Sequence, residues 1–501
     1  MGPVFLRWAA CIALCGCGRF SFDSVGGDDS GDAGSEVASL RYPIDTAYGI
    51  RAVTPVMLVP EFTGQPTFAA VAALPLGVEI DAATGVISGV PQGSVDQTFV
   101  IRATSSLGTA SAKVTLLYAA GYAVTVTVDG PDDNGGVDDT CFSTLAGGCS
   151  LRAAVQTANA HSSELHVIVL GAATYLVTAA INDIAADMVI AGAGDRLTTV
   201  QSDPEQGGFG LFQLSAARTL TLARSSFVEF GMRNGAVVNQ TKGVLNVNEC
   251  TFAENHSAGS GGVFYVAGGA TARIERSRFR ENESFGGCCG GWGGVIDGEN
   301  DNTTISVSQC VASSNQSNWG SFAHITQGTK LRLENSTLYG NSATTAGTLA
   351  SPGGTYTLVN DTIVGNRNTS TTPESAGLYL YSDPAHYTVQ NSIVAFNLDI
   401  TGAQNNCNRR VATVTLTSNG GNILGDGAGN CAAYFVADHD RLMTDPDLTA
   451  GPPTANGGVT ETIAPRSTSP VLGAGKDCPL VDQRGLPRDP IACDVGAVEL
   501  P

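Results

Sequence analysis

The amino-acid sequence predicts an all-β chain in which a small β-sandwich precedes a long stack of repeated β-coils. Three observations carry that expectation. A phrase of the form polar, polar, Ser/Cys, any, apolar, two spacers and Asn comes round six times, ending at Asn255, Asn282, Asn315, Asn341, Asn366 and Asn397. The copies read NECTFAEN, ERSRFREN, SQCVASSN, ENSTLYGN, VNDTIVGN and QNSIVAFN, separated by 27, 33, 26, 25 and 31 residues. Self-similarity at such a period marks stacked supersecondary units, each burying its apolar face against its neighbours. Composition agrees: 14% charged residues and 62 glycines in 501 positions fit a β-rich, secreted-type chain better than a helical one. Finally, residues 41–120 alternate apolar and polar in short runs broken by turns, as a sandwich does.

The N-terminus sets the expected address. Arg7 precedes an apolar stretch of about half a membrane span, which suits a signal peptide over residues 1–17. Leu14-Cys15-Gly16-Cys17 resembles a bacterial lipoprotein box. That resemblance implies acylation of Cys17 and, with Gly18 after it, sorting to the outer membrane and cell surface. The alternative is an ordinary signal peptide cut nearby. Acyl chains, at about 0.8 kcal/mol per buried methylene, hold a protein on a membrane nearly permanently. Residues 18–40, including SVGGDDSGDAGSE, read as a flexible acidic tether.

In the sandwich region, Leu74 to Pro91 reads LPLGVEIDAATGVISGVP. Ile80, Val86 and Ile87 suit strands, while Gly85 and Gly89 permit turns with positive φ. The phrase resembles the immunoglobulin-like domains of bacterial surface proteins, and the resemblance implies a spacer or a weak binding unit.

A new unit begins near residue 121 and is expected to run to 501. Val124 to Val128 alternates as a strand, and an acidic loop follows. Leu151, Ala154, Val155 and Ala158 then fall at i, i+3, i+4 and i+7 of one helix. Cys149 to Ala154 (CSLRAA) resembles the CSLREA element that opens a family of exported bacterial β-helix proteins, with Ala153 in place of the Glu. Such a helix would shield the first, otherwise open, sheet edge. Asp482 to Arg488 and Cys493 to Glu499 resemble the closing phrase of the same family. The fold implied is a right-handed parallel β-helix, as in pectate lyases and polymorphic outer-membrane proteins. Within each coil Leu245 and Val247, Ile305 and Val307, and Leu331 and Leu333 point inward, followed by Phe252, Phe279, Leu338, Ile363 or Val394. The recurrent Asn is expected to form an internal ladder between coils.

Ten cysteines lie beyond Cys17, an even number that suggests disulfides in an exported chain. The local pairs are Cys141 with Cys149, Cys407 with Cys431, and Cys478 with Cys493. Cys250 and Cys310 are two coils apart, about 9.6 Å, too far to bridge each other. Each is left to reach Cys288 or Cys289, or to stay a buried thiol.

The candidate site is a column on the Gly-led strands GGVFYV, GGVIDG, GSFAHI, AGTLAS and AGLYLY. With Phe264, Ile296, Ala323, Leu349 and Leu378 inward, alternation turns Tyr265, Asp297, His324, Ala350 and Tyr379 outward. Tyr381 joins Tyr379, and Trp292 lies just before Asp297. Aromatic faces beside a carboxylate and an imidazole are what a glycan-binding groove needs. The Asp297–His324 pair also has the groups for acid/base chemistry. A solvated polar face with scattered tyrosines is the plain alternative. Polysaccharide lyases on this scaffold carry an Asp cluster for calcium and an Arg base in one column, whereas Arg278 and Arg280 sit on a different face from Asp297. The oxygen-rich segments Asp129 to Asp139 and Asp297 to Asp301 offer calcium-type donors without EF-hand spacing. No cofactor is expected otherwise. A net charge of −20 argues against nucleic acid as a partner. The reading is a lipid-anchored, non-enzymatic surface protein that presents its β-helix to an extracellular polysaccharide or a neighbouring cell. A carbohydrate-active enzyme (lyase or hydrolase) and a purely structural envelope protein are the alternatives.

Overall fold

The computed structural model describes residues 39–501 except 107, 207, 287–289, 301, 373 and 426–428. The expected signal peptide, Cys17, the tether as far as 38, and Cys288 and Cys289 lie outside the described residues. An Ig-like β-domain comes first, and a parallel β-solenoid of about nine turns follows it. Each full coil has four short strands. In one repeat these are Val244–Asn248, Thr251–Ala253, His256–Ser260 and Phe264–Val266. Stacked in parallel register, they build four walls, which we number in that order.

The recurring phrase encodes two corners. The residue before the Ser/Cys and the residue before the Asn both take positive φ, for example Glu249 at 54° and Glu254 at 56°. A left-handed residue at each corner bends the strand sharply, at a cost of about 1–2 kcal/mol for a side chain other than Gly. Polar ladders inside the corners offset that cost. At the second corner, Asn282 Nδ2 donates to Asn315 Oδ1 at 2.9 Å and Asn315 Nδ2 to Asn341 Oδ1 at 2.8 Å. The expected ladder runs from Asn255 to Asn397, with every rung fully buried.

A second ladder occupies the first corner. The backbone N–H of Cys250 donates to Ser277 Oγ, that of Ser277 to Cys310 Sγ, and that of Cys310 to Ser336 Oγ. It continues through Asp361 and Ser392 to Asn422. Each hydroxyl or thiol also donates to the carbonyl two residues back, as Ser277 does to Glu275 at 2.7 Å and Cys310 to Ser308 at 3.1 Å. Cys250 and Cys310 are thus buried free thiols that stand in for serine.

The apolar interior matches the expected alternation. Leu245, Val247, Ile305, Val307, Leu331 and Leu333 are buried in one continuous core with the second-wall column. Phe227, Phe252 and Phe279 stack in that column at 5.3 Å.

Both ends are closed. Helix α1 (Leu151–Ala160) caps the first coil and buries Leu151, Ala154, Val155 and Ala158. Ser150 caps it by accepting the Ala153 N–H at 3.0 Å, and Arg152 ties it to Asp129 and to the carbonyls of Ala179 and Ala180. Ala153 is fully buried, so a Glu there would lose its hydration. The closing phrase folds back along the first corner as a clamp. Arg488 pairs with Glu499 at 3.1 Å and reaches Asn335 Oδ1 at 2.8 Å, while Asn360 Nδ2 donates to the Asp494 carbonyl at 3.0 Å. The three expected disulfides, Cys141–Cys149, Cys407–Cys431 and Cys478–Cys493, all form.

The two β units share a strand. Gly108–Ala123 pairs with Val95–Ser105 inside the Ig-like domain and, through Ala120–Ala123, with the first solenoid strand, His166–Val169. The junction drawn between residues 120 and 121 therefore falls inside one continuous strand. Arg276 of the solenoid also bonds both carboxylate oxygens of Asp45, at 2.7 and 2.8 Å.

Candidate functional site

The fourth wall places the predicted column in register. Tyr265 lies opposite Asp297, Asp297 opposite His324, His324 opposite Ala350, and Ala350 opposite Tyr379. Phe264, Ile296, Ala323, Leu349 and Leu378 point into the core. The expectation that this column faces solvent fails. Asp297 is 0% exposed, His324 4% and Tyr379 1%. The cause is a roof of tryptophan built from the corner between the third and fourth walls. The Trp292 ring stacks on His324 at 5.7 Å and 16°, and Trp319 meets Tyr379 edge-on at 6.1 Å. Tyr265 and Tyr381 stay half-buried at the margins.

Beneath the roof lies a compact polar cluster. His324 Nδ1 is 2.7 Å from Asp297 Oδ1, whereas Asp297 Oδ2 is buried without a hydrogen-bond partner. Tyr265 donates its phenol O–H to Glu299 Oε2 at 2.7 Å. Burial pushes the Glu299 carboxyl above the ordinary glutamate range; the Tyr265 bond opposes that and the Asp297 charge adds to it. Burial also raises the Tyr379 phenol to about 12. A carboxylate that orients an imidazole is a familiar acid/base arrangement. Here, however, the imidazole is sealed under an indole, so the pair acts as a tie between two coils.

The oxygen-rich Asp129 to Asp139 loop is internally engaged. Asp129 binds Arg152 and Thr178, Asp132 accepts backbone N–H groups from Asn134 and Gly136, and Asp133 accepts from Thr144. Among the described residues no group of three or more His, Cys, Asp and Glu is arranged to hold a metal ion. Arg278 and Arg280 lie on the second wall, away from Asp297 on the fourth.

Trp319 is not among the residues expected at this site. Trp319 precedes His324 by five positions just as Trp292 precedes Asp297, and each is followed by Gly. The two tryptophans pair as neighbouring rungs. Tyr381 packs edge-on against Trp319 at 4.9 Å, and the Arg410 guanidinium lies 4.8 Å above the Tyr381 ring. Trp292, Trp319 and Tyr381, each half-buried, thus form an aromatic strip running from coil to coil. Beside it Asn408 donates to Glu374 at 3.0 Å.

Fold and site together define an all-β class: an Ig-like domain joined to a β-solenoid whose fourth wall is edged with aromatic rings. Residues 43–119 match the family described as "Putative Ig domain". No curated protein matches the chain. Among solved structures, a "putative alpha-galactosidase" from Bacteroides fragilis is similar at 18% identity with a TM-score of 0.14. That similarity covers 26% of this chain and 28% of the other, so the match spans little more than a quarter of either protein.

Proposed function

We propose that this chain is a surface-anchored, non-enzymatic binding protein of the CSLREA type that presents the aromatic strip to an extracellular glycan or a neighbouring cell surface. A lipid on Cys17 and the acidic tether would hold it at the outer membrane, with the Ig-like domain as a stalk. The observation that carries the reading is the strip itself. Trp292 and Trp319 offer rings on neighbouring coils and Tyr381, two coils further on, packs against Trp319, while Glu299, Glu374, Asn408 and Arg410 supply directed polar groups nearby. Flat apolar rings flanked by a few fixed hydrogen-bonding groups suit the faces and hydroxyl edges of sugars. Three disulfides favour an oxidising compartment. A lyase or hydrolase built on Asp297 and His324 would need its substrate to displace Trp292, which makes the binding reading the stronger one.

A glycan array probed with the full exported chain, followed by a product assay on any ligand found, tests this. Binding without product, weakened about tenfold in Trp319→Ala (the loss of one ring contact, roughly 1.4 kcal/mol), is the expected result. No glycan binding, or binding indifferent to both Trp292→Ala and Trp319→Ala, would overturn it. Fatty-acid labelling that persists in Cys17→Ser would remove the anchor.

A further inference from the structure

A cleft lies on the second wall, away from the strip. Residues 448–465 form an irregular hairpin, bridged at Leu448–Pro465 and Thr454–Thr462, that leans over the second wall. Between hairpin and wall is a cleft of about 600 Å³. Arg278 forms its fixed floor. Its guanidinium contacts Asp195, Glu461 and the Val459 carbonyl, with the Glu461 bond at 2.8 Å. Arg196 reaches the other Glu461 oxygen at 2.8 Å. Arg280 also lines the cleft, is exposed, and makes no ion pair among the described residues. Three guanidiniums therefore face two carboxylates, leaving one unit of positive charge in a chain whose net charge is −20.

We infer that this cleft binds the oxyanion of an acidic saccharide, a sulfate or a carboxylate, with Arg280 as its principal contact. The reasoning is geometric. Asp195 and Glu461 are both consumed in holding Arg278, so they pre-set the floor without claiming Arg280. A free guanidinium presents a planar fork of N–H donors that matches a carboxylate or sulfate edge with two parallel hydrogen bonds. Ser313, in register with Arg280 on the next coil, adds a hydroxyl at the same level. Pro452 and Pro453 form an apolar opposing wall for a sugar face. One coil beyond Ser313 the same column carries Tyr339, about 9.6 Å from Arg280. Tyr339 lines a second cavity of about 420 Å³ against the same hairpin. A ligand spanning the two cavities would be an oligosaccharide with its charged unit at Arg280. An overall negative surface repels polyanions, so capture must be short-ranged and specific to the cleft.

Titration calorimetry on the full exported chain tests the inference, with a sulfated hexasaccharide from heparin, a hexagalacturonate and neutral cellohexaose as probes. Binding of the sulfated probe alone, the uronate alone, or both, in preference to cellohexaose, supports it and names the source of the oxyanion. Arg280→Ala should weaken that binding about tenfold or more while leaving the thermal melt unchanged, because Arg280 holds nothing in the fold. Trp319→Ala should leave it intact, which separates this cleft from the aromatic strip. If neither charged probe binds, or if Arg280→Ala binds as tightly as the parent, the inference is wrong.

Discussion

Asn315→Ala removes four hydrogen bonds from the middle of the solenoid. Asn315 Oδ1 accepts from the backbone N–H of Asn282 at 3.0 Å and from Asn282 Nδ2 at 2.9 Å. Asn315 Nδ2 donates to the Phe279 carbonyl at 3.0 Å and to Asn341 Oδ1 at 2.8 Å. Every partner is buried, so water cannot replace what is lost. At about 1 kcal/mol per bond the variant should lose about 4 kcal/mol, and more if the orphaned groups stay dry. Asn255, near the top of the ladder, makes three such side-chain bonds, which predicts about 3 kcal/mol for Asn255→Ala on the same scale. Gln316, next to Asn315 but on the exposed face, should change stability by less than about 0.5 kcal/mol when made Ala. Urea unfolding followed by far-ultraviolet circular dichroism gives the three values. Hydrogen exchange at the Asn282 amide reports whether the loss is local, as expected for a stack whose units contact only their neighbours. A loss below about 1 kcal/mol for Asn315→Ala would refute the ladder as a source of stability.

Two further outcomes follow from the second ladder. Cys310→Ser should keep both ladder bonds and change stability by no more than about 1 kcal/mol. Burial pushes the Cys310 thiol up to about 12, so peptide mapping after iodoacetamide treatment of the native protein should find it unmodified; rapid alkylation would contradict its placement. Asp361 is a fully buried carboxyl in a ladder otherwise filled by Ser, Cys and, at its end, Asn422, and burial raises it well above the usual carboxylate value. Because the folded value is the higher one, its protonation supports the fold below about pH 3.8, and that support fades as pH rises through the folded value. Asp361→Ser removes this dependence. In thermal melts from pH 3.5 to 8 the parent should therefore lose ground to the variant as pH rises, and a gap moving the other way would sink the assignment.

The stacking register was legible because a side chain that repeats once per coil must lie above its copy. The Asn rungs, the inward Phe252 and Phe279 and the alignment of Tyr265 with Asp297 all follow from that rule. The fate of the outward column did not, since burial there depends on what the corner before it carries, and Trp319 sits one residue before the Gly-led strand GSFAHI. For Cys250 and Cys310 the sequence leaves open a bridge to Cys288 or Cys289 or a buried thiol, and the structure shows the thiol; their neighbours in the column, Ser277 and Ser336, show that the position selects a small group able to donate backward and accept from the coil before. The polar residues of the closing phrase carried only a family likeness. Their work, pinning Asn335 and Asn360 in left-handed corners, depends on partners about 130 to 160 residues away, which no local pattern reveals.

The strand Gly108–Ala123, shared by the Ig-like domain and the first solenoid coil, has a mechanical meaning. A pull along it loads its ladder bonds to both units in shear, so they resist together instead of parting one after another. With Arg276 gripping Asp45 alongside, the Ig-like domain and the solenoid behave as one stiff unit with no hinge at their seam. Any swivel must then come from outside these two units.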